Sequence, residues 1–225
     1  QMTQLGIGSA QFGLSYGVTN SSGVVDAKVT RQILGAAKDW GIHYVDTAPA
    51  YGYSEQVLGE VLQDIKPLNI FGKVGAPKVN AKSKRRWLTE SLNKSLSNLH
   101  RENLEGLLLH DCSCLRQDGA STITDWLYSV KDLGLTKSIG VSVYTPDDLE
   151  GIDIQWMDVV QIPLNPYDQR WSQSEQLGRL LNNNIEIHAR SLFLQGLLLT
   201  QPKRFPESLA KLAIHQEKML AATGL

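Results

Sequence analysis

The sequence lacks several features that would assign its class at once. It has two cysteines among 225 residues, Cys112 and Cys114, and these lie too close together in the chain for an easy disulfide. The longest cluster of basic residues is Lys84-Arg85-Arg86, and 22 basic residues stand against 23 acidic ones. A partner with a dense negative charge, such as nucleic acid or an anionic membrane, is therefore not expected.

Long apolar runs are also missing. The uninterrupted ones are short, as in Leu107-Leu108-Leu109, whereas a membrane span needs about 20 residues. Residues 1–4 do not start a basic and then apolar leader, which favours a cytoplasmic setting. His110 could join the two cysteines in a metal cluster, but Cys-x-Cys beside one histidine matches no recognised ligand spacing, so no metal site is predicted.

The composition is that of an ordinary globular protein. Hydrophobic residues make up 42% of the chain and charged residues 20%. A chain of this length can bury roughly 70% of the surface that its unfolded form exposes, which supports one large core without disulfides or metals. We expect a single domain over residues 1–225.

Short apolar segments alternate with amphipathic ones along the chain, which predicts a parallel sheet with helical crossovers. The predicted strands are 5–9, 42–46, 69–73, 104–110, 138–142, 159–162 and 185–190. Apolar residues with helical spacing follow the first strand: Val29, Ile33, Ala36, Ala37 and Trp40. Asp26 is placed to cap this helix and Gly41 to end it. Further helices are expected over 54–64, 88–99, 124–133, 146–151, 172–182 and 206–222.

Two architectures fit strands that are covered by helices on the outside: an open, doubly wound sheet and a closed (β/α) barrel. A dinucleotide-binding open sheet would carry Gly-x-Gly-x-x-Gly after its first strand. Here the third glycine, Gly13, comes two positions late. A barrel also gathers the C-terminal ends of all strands at one mouth, where polar residues end six of them: Asp46, Lys73, His110, Ser142, Gln161 and Arg190. The barrel is favoured.

Three of these side chains, together with Tyr51 from a loop, form a candidate proton-transfer set. Asp46 ends the second strand, and Tyr51 follows in the next loop. Lys73 ends the third strand, where its ammonium favours a nearby phenolate and where Asp46 could hold it charged. His110, one strand further on, could orient a substrate oxygen. The set suits proton donation to a carbonyl oxygen as hydride reaches the carbon, although a buried ion pair and a packed aromatic would explain the same residues singly.

Residues 46–55, with the pattern Asp-x-Ala-x-x-Tyr-Gly-x-Ser-Glu, resemble the signature of the aldo-keto reductase family. Lys73 in Phe71-Gly72-Lys73 and His110 in Leu108-Leu109-His110-Asp111 fall where that family's lysine and histidine are expected. The resemblance covers the chain from about residue 5 to 199. It implies an α/β fold, a (β/α)8 TIM-type barrel, that reduces aldehydes or ketones with NADPH bound across the mouth.

In the scheme that the resemblance implies, Tyr51 is the general acid, Lys73 and Asp46 tune it, and His110 positions the carbonyl. The implied cofactor contacts are Ser9, Asp46, Ser142, Gln161, Arg190, Ser191, Leu192, Leu194 and Gly196. Ser142 and Gln161 would hold the nicotinamide carboxamide, and residues 190–196 would form the pyrophosphate loop, where backbone amides hold phosphate oxygens.

Three departures from the family pattern stand out. Val143 occupies a position where many members have Asn, and Arg190 one where an aromatic residue often stacks on the nicotinamide; a guanidinium plane can also stack on a ring. After the seventh predicted strand, residues 206–225 suggest one helix, so we expect the eighth strand and helix to be missing from this chain. An arc of seven strands would expose backbone edges and favour self-association.

Three explanations fit the missing eighth unit. We favour a trimmed form of a longer protein. The others are an arc closed by a partner chain and a gene product that has lost its C-terminal elements.

Three functions remain open. The favoured one is a cytoplasmic NADPH-dependent reductase of a small or sugar-like aldehyde or ketone. A second is a cofactor-binding sensor or regulatory barrel without turnover. The third is a lyase that uses Lys73 as a Schiff-base amine, which Asp46 would oppose by keeping Lys73 protonated.

Overall fold

Seven parallel strands form one sheet in the part of the chain that the computed structural model describes, residues 4–65, 68–78, 80–205 and 207–223. The strands are β1 (Gly6–Gly8), β2 (Tyr44–Asp46), β3 (Asn69–Val74), β4 (Leu104–Leu109), β5 (Thr136–Ser142), β6 (Val159–Pro163) and β7 (Glu186–Arg190). All seven predicted strands are confirmed, with ends that differ by up to two residues. Each strand pairs with the next in chain order.

The sheet is curled rather than flat. Three strands lie between β3 and β7, so Phe71 and His188 would be about 19 Å apart across a flat sheet. Their ring centroids are 4.5 Å apart, edge to face. The expected barrel-type α/β architecture is therefore confirmed, in the form of an arc whose seven described strands do not close into a complete barrel. Within the described ranges, β1 and β7 each pair on one side only, so the eighth unit of a (β/α)8 barrel is missing.

Six α-helices are described: α1 (Ala27–Asp39), α2 (Ser54–Val61), α3 (Ala81–Leu99), α4 (Ala120–Asp132), α5 (Glu175–Asn182) and α6 (Ala210–Thr223). Asp26 caps α1 as predicted, because its side chain accepts a 2.8 Å hydrogen bond from the backbone N–H of Val29. The helix predicted over 146–151 is instead a short 3-10 turn, Pro146–Leu149. Of the segment predicted over 206–222, residue 206 lies outside the described residues, and α6 begins at Ala210.

The apolar face predicted for α1 is right at Ala37 and wrong at Val29, Ile33, Ala36 and Trp40, since the buried stripe is displaced by one position. Thr30, Leu34 and Ala37 are the buried residues of this helix, whereas Trp40 is 82% exposed, and Val29 and Ile33 are also exposed. Two stripes of similar spacing run along α1, and periodicity alone does not tell which of them faces the sheet. The exposed stripe therefore lies on the flank of α1 that no described residue covers.

The core has two layers. The larger one lies between the outside of the sheet and the helices, and it includes Leu34, Leu58, Leu88 and Leu127. The smaller one lies on the inside of the arc and consists of Phe71, Leu108 and Val159, with Tyr44 packed against them. Together the two layers hold the C-terminal ends of the strands at one mouth. None of the helices in the described ranges has the length and apolarity that a membrane span requires.

Candidate active site

The loop between β2 and α2 is fastened to the loop after β1. A Cβ on Gly13 would lie 2.0 Å from the carbonyl oxygen of Tyr51 and 2.3 Å from the backbone nitrogen of Ser54, so only a hydrogen atom fits there. Below this contact the Ser54 hydroxyl donates a 2.9 Å hydrogen bond to the backbone oxygen of Ser9 and lies 3.2 Å from the Thr47 hydroxyl. These three residues are fully buried, so the loop that carries Tyr51 has a rigid base.

Asp46, Lys73, Tyr51 and His110 lie together at the mouth. The Lys73 ammonium is completely buried and pairs with Asp46 Oδ1. Its Nζ also lies 3.5 Å from the Tyr51 hydroxyl and 3.4 Å from the Thr47 carbonyl oxygen. The His110 ring meets the Tyr51 ring edge to face, with centroids 5.9 Å apart. All four residues of the candidate proton-transfer set therefore share one site.

Burial decides the protonation of this cluster. It raises the pKa of the Tyr51 phenol well above its ordinary value of 10, and the Asp46 carboxylate raises it further, so the hydroxyl keeps its proton at neutral pH. Burial also lowers the pKa of Lys73, although Asp46 opposes this. The pKa of His110 is lowered by burial and by the Lys73 charge, which leaves its imidazole neutral. In the free protein, burial thus outweighs the effect by which an ammonium favours phenolate.

A chain of hydrogen bonds extends the cluster across the mouth. The Ser142 hydroxyl donates to Gln161 Oε1 at 3.3 Å, and Gln161 Nε2 donates to Asp46 Oδ2 at 2.8 Å. Ser142 and Gln161 are both buried. Both residues were predicted to lie at the same mouth as Asp46 and to contact the cofactor carboxamide, but their hydrogen bonds to each other and to Asp46 were not predicted. That link depends on the curl of the sheet, since three strands lie between β2 and β6.

Arg190 closes the other side of the mouth. Its guanidinium carbon lies 4.4 Å from the centroid of the Tyr144 ring, and its Nη2 donates a 3.1 Å hydrogen bond to the Val143 carbonyl oxygen. Tyr144, which sequence analysis did not single out, is 58% exposed at this edge. The only sequence signal for it is its place two residues after Ser142, just past the end of a strand. Arg190, through its contacts with Tyr144 and Val143, therefore joins the end of β7 to the end of β5.

Comparison with known proteins shows which family the chain belongs to. The profile of the Aldo/keto reductase family matches residues 4–217. The chain belongs to this family. An alignment over 133 residues is 32% identical to the 7-acetyl-epi-neemfruitin B aldo-keto reductase of Melia azedarach, and one over 116 residues is 28% identical to the D-arabinose 1-dehydrogenase of Saccharomyces cerevisiae. The alignments cover 50% and 48% of this chain but only 40% and 34% of the relatives, so the matches span well under half of each curated relative.

Solved structures of aldo-keto reductases share the fold. One assigned to this family from Pseudomonas aeruginosa is 26% identical, with a TM-score of 0.68 over 84% of this chain and 73% of its own. The holo form of a Bacillus halodurans aldo-keto reductase is 20% identical, with a TM-score of 0.70 over 87% of this chain and 64% of its own. The arc described above is thus the arrangement that other aldo-keto reductases adopt for their matching parts.

The loop after β7 of this aldo-keto reductase has an unusual backbone. Ser191, Leu194 and Gln195 have φ values of 59°, 46° and 57°, in the left-handed region that non-glycine residues rarely occupy. Gly196 follows with a φ of 90°, and a Cβ there would lie 2.8 Å from the Thr19 hydroxyl. Backbone strain of this kind is concentrated at ligand clamps and active sites.

The same loop is tied to the start of the chain. The Thr19 hydroxyl donates to the Gln195 carbonyl oxygen, and the Val18 backbone N–H donates to Gln195 Oε1, both at 3.1 Å. Leu192 lies partly exposed on the loop. The segment predicted to hold pyrophosphate is therefore built from both ends of the arc, whereas Ser9 lies at the base of the Tyr51 loop with its hydroxyl 2.7 Å from that of Ser54. The cofactor contacts of all these residues stay predictions.

The two cysteines lie away from this chemistry. The thiol of Cys112 donates to the Asp148 carbonyl oxygen and that of Cys114 to the Asp111 carbonyl oxygen. Burial raises the pKa of each thiol to about 11, so both are protonated at neutral pH. In the described ranges no group of three or more His, Cys, Asp or Glu residues is arranged to hold a metal ion.

Proposed function

We propose that this aldo-keto reductase reduces an aldehyde or ketone with hydride from NADPH, and that Tyr51 supplies the proton. The observation that carries the proposal is the Tyr51 hydroxyl, whose oxygen lies 3.5 Å from the Lys73 ammonium and which keeps its proton because partial burial raises its pKa. A proton donor of this kind beside a fixed cation suits the transition state of carbonyl reduction, in which negative charge grows on the oxygen.

Each residue of the cluster has a separate task in this proposal. Tyr51 donates its proton to the carbonyl oxygen and is left as a phenolate. The Lys73 ammonium stabilises that phenolate, and Asp46 keeps Lys73 charged in spite of its burial. The neutral His110 imidazole, beside the Tyr51 ring, holds the carbonyl oxygen by a hydrogen bond.

The residues at the mouth fit a nicotinamide cofactor. A Cβ built on Gly8, whose Cα is paired with that of Asp46, would meet no atom within 4 Å, so the inside of the arc is open beside the cluster. Ser142 and Gln161 offer a hydroxyl and an amide there, joined by a long 3.3 Å hydrogen bond that a carboxamide could replace. NADPH would supply the hydride, and the strained loop 191–196 would hold its pyrophosphate.

The substrate class is proposed as small or sugar-like. The D-arabinose 1-dehydrogenase relative acts on a sugar by its name, and the open arc beside Gly8 leaves room for a polar molecule. A cytoplasmic setting and NADPH in preference to NADH are part of the same proposal. They rest on the sequence resemblance.

The test is NADPH oxidation by the purified chain with a panel of aldehydes and ketones. Tyr51→Phe removes the proton donor, and we expect kcat to fall about 100-fold or more while NADPH binding, measured by fluorescence, is retained. Tyr53→Phe is the matched control, because Tyr53 is 74% exposed on the same loop, and it should keep full activity. NADPH binding without turnover of any carbonyl would favour the sensor instead.

The lyase alternative draws support from one observation, the burial that lowers the pKa of Lys73, since desolvated lysines can become nucleophilic. The geometry opposes it, because the Lys73 side chain is fully buried and already paired with Asp46. Borohydride trapping distinguishes the two functions. A covalent adduct on Lys73 would favour the lyase, and its absence together with NADPH turnover would favour the reductase.

A further inference from the structure

Arg190 is held in place by neutral groups. The Tyr144 ring covers its guanidinium plane, and its two hydrogen bonds go to the Val143 carbonyl oxygen and the Ser191 hydroxyl. An arginine has five N–H donors in a fixed planar fork, so three of them have no hydrogen-bond partner among the described residues. The side chain is oriented, yet most of its binding capacity is unused.

The positive charge of Arg190 is also unmatched. In the described ranges no carboxylate lies within 4.0 Å of it, whereas the other acids of this region are engaged. Asp46 pairs with Lys73, and Asp168 pairs with Arg170. Asp111 accepts a hydrogen bond from the backbone N–H of Ser113. A partly buried cation without an anion costs free energy, and a ligand that brings an anion offsets that cost.

Arg190 lies at the same mouth as the proton donor. It donates a hydrogen bond to the carbonyl oxygen of Val143, the neighbour of Ser142, and Ser142 is joined through Gln161 to Asp46. In keeping with this position, the charge of Arg190 lowers the pKa of Tyr51, of Lys73 and of His110. A ligand whose carbonyl reaches Tyr51 therefore has Arg190 within the length of a small molecule. Two cations, Lys73 and Arg190, act on the cluster together with the carboxylate of Asp46, and the carboxylate of Asp111 acts on His110.

We propose that Arg190 binds an anionic group, a carboxylate or a phosphate, carried by the carbonyl substrate itself. The proposal rests on the reductase function and names its substrate class: oxo acids and phosphorylated aldoses rather than neutral sugars. The guanidinium fork matches both anions through paired N–H donors. Tyr144 and the Val143 carbonyl oxygen act as positioning groups, because they fix the plane of the fork.

The phosphates of the cofactor are the other possible source of an anion. The position of Arg190 at the mouth that also holds Tyr51 favours the substrate, since the substrate's oxygen must reach Tyr51 to receive the proton. The two sources also differ in a measurable way. An arginine that binds the cofactor changes the KM for NADPH, whereas one that binds the substrate changes the preference between charged and neutral substrates.

The experiment compares matched substrates at saturating NADPH and pH 7. One pair is 4-carboxybenzaldehyde and its neutral analogue methyl 4-formylbenzoate; the other is glyceraldehyde 3-phosphate and glyceraldehyde. We expect kcat/KM of the wild-type chain to favour the anionic member by about tenfold or more, the size of a hydrogen bond to a charged group. Arg190→Gln should bring both ratios to near one, and Arg190→Lys should keep part of the preference.

Arg86→Gln is the control, because Arg86 is an exposed arginine on α3 that pairs with Glu90; it should leave both ratios unchanged. Wild-type ratios of one or below overturn the proposal without any variant, and so does an Arg190→Gln variant that keeps the ratios while its KM for NADPH rises. If no carbonyl is reduced, the reductase function fails, and calorimetric binding of benzoate then tests Arg190. Loss of benzoate binding in Arg190→Gln supports the anion site, and equal binding overturns it.

Discussion

Gln161 Nε2 donates a 2.8 Å hydrogen bond to Asp46 Oδ2 across the inside of the curled sheet. The two oxygens of Asp46 are thereby divided between two partners, since Oδ1 faces the Lys73 ammonium. The carboxylate cannot rotate without losing one of them. Gln161 therefore aims Asp46 at Lys73, and through Lys73 it acts on Tyr51.

We expect Gln161→Leu to lower kcat by about tenfold, because Asp46 loses a buried hydrogen bond to one oxygen. Ser142→Ala should have a smaller effect, since Ser142 reaches Asp46 only through a 3.3 Å bond to Gln161. Steady-state kinetics of the two variants and of the double variant measure this, and the two effects should not add. A change confined to the KM for NADPH, with kcat intact, would contradict the positioning role.

Gly13 should be indispensable to the position of Tyr51. Any side chain there collides with the backbone at Tyr51 and Ser54, which cannot move aside. We expect Gly13→Ala to destabilise the fold by about 1–3 kcal/mol and to lower kcat. Thermal melting and turnover measure both effects.

Gly35→Ala on α1 is the matched control for this substitution. A Cβ there meets no atom within 4 Å, and alanine is the better helix former by about 1 kcal/mol. It should raise the melting temperature slightly and leave turnover unchanged. Gly13→Ala with wild-type melting and kcat would show that the loop contact is dispensable.

The strands were predictable because each one carries a strong local signal, an apolar run with a polar residue such as Asp46 or Lys73 at or near its end. The four-residue cluster followed from topology, since a parallel arc brings C-terminal strand ends together. The tight contact between Gly13 and Tyr51 was not predictable. Gly13 was recognised only as misplaced for a dinucleotide motif, and its partner depends on how two loops pack.

The sequence-based predictions that failed or were missed also depend on how the elements pack. The stripe of Val29, Ile33 and Trp40 on α1 has the right period but the wrong orientation, because the rotation of a helix is set by the sheet beneath it. The raised pKa of Tyr51 was not predicted, because a sequence shows which charges are neighbours and does not show how deeply the phenol is buried. Tyr144 was missed because an exposed aromatic residue after a strand has no distinctive pattern.

The pH dependence of reduction should report Lys73 on its basic side. Burial raises the pKa of Tyr51 above its ordinary value and lowers that of Lys73 below 10.5. As pH rises, Lys73 therefore loses its proton first, and the phenolate loses its cation. We expect kcat/KM to fall with a midpoint below 10.5.

On the acid side the pKa of His110 is lowered below its ordinary 6.5. His110 gains a proton only under more acidic conditions, so activity should persist below pH 6.5. His110→Gln, which cannot titrate, should lose the acid limb and keep the basic one. An acid limb that survives this substitution, or a basic midpoint above 10.5, would contradict the assignment.

The uncovered flank of the arc should promote self-association. In the described part of the chain, β1 and β7 each present an unpaired edge, and Trp40, Val29 and Ile33 form an exposed apolar stripe on α1. Exposed edges and apolar surface together are a recognised association hazard. Sedimentation velocity should show a coefficient that rises between roughly 1 and 100 µM. Trp40→Lys should reduce the rise, and Tyr128→Lys, at an exposed site on α4, should not. A single monomeric species across this range would show that neither the apolar stripe nor the open strand edges drive association, because both are buried most readily when copies are concentrated.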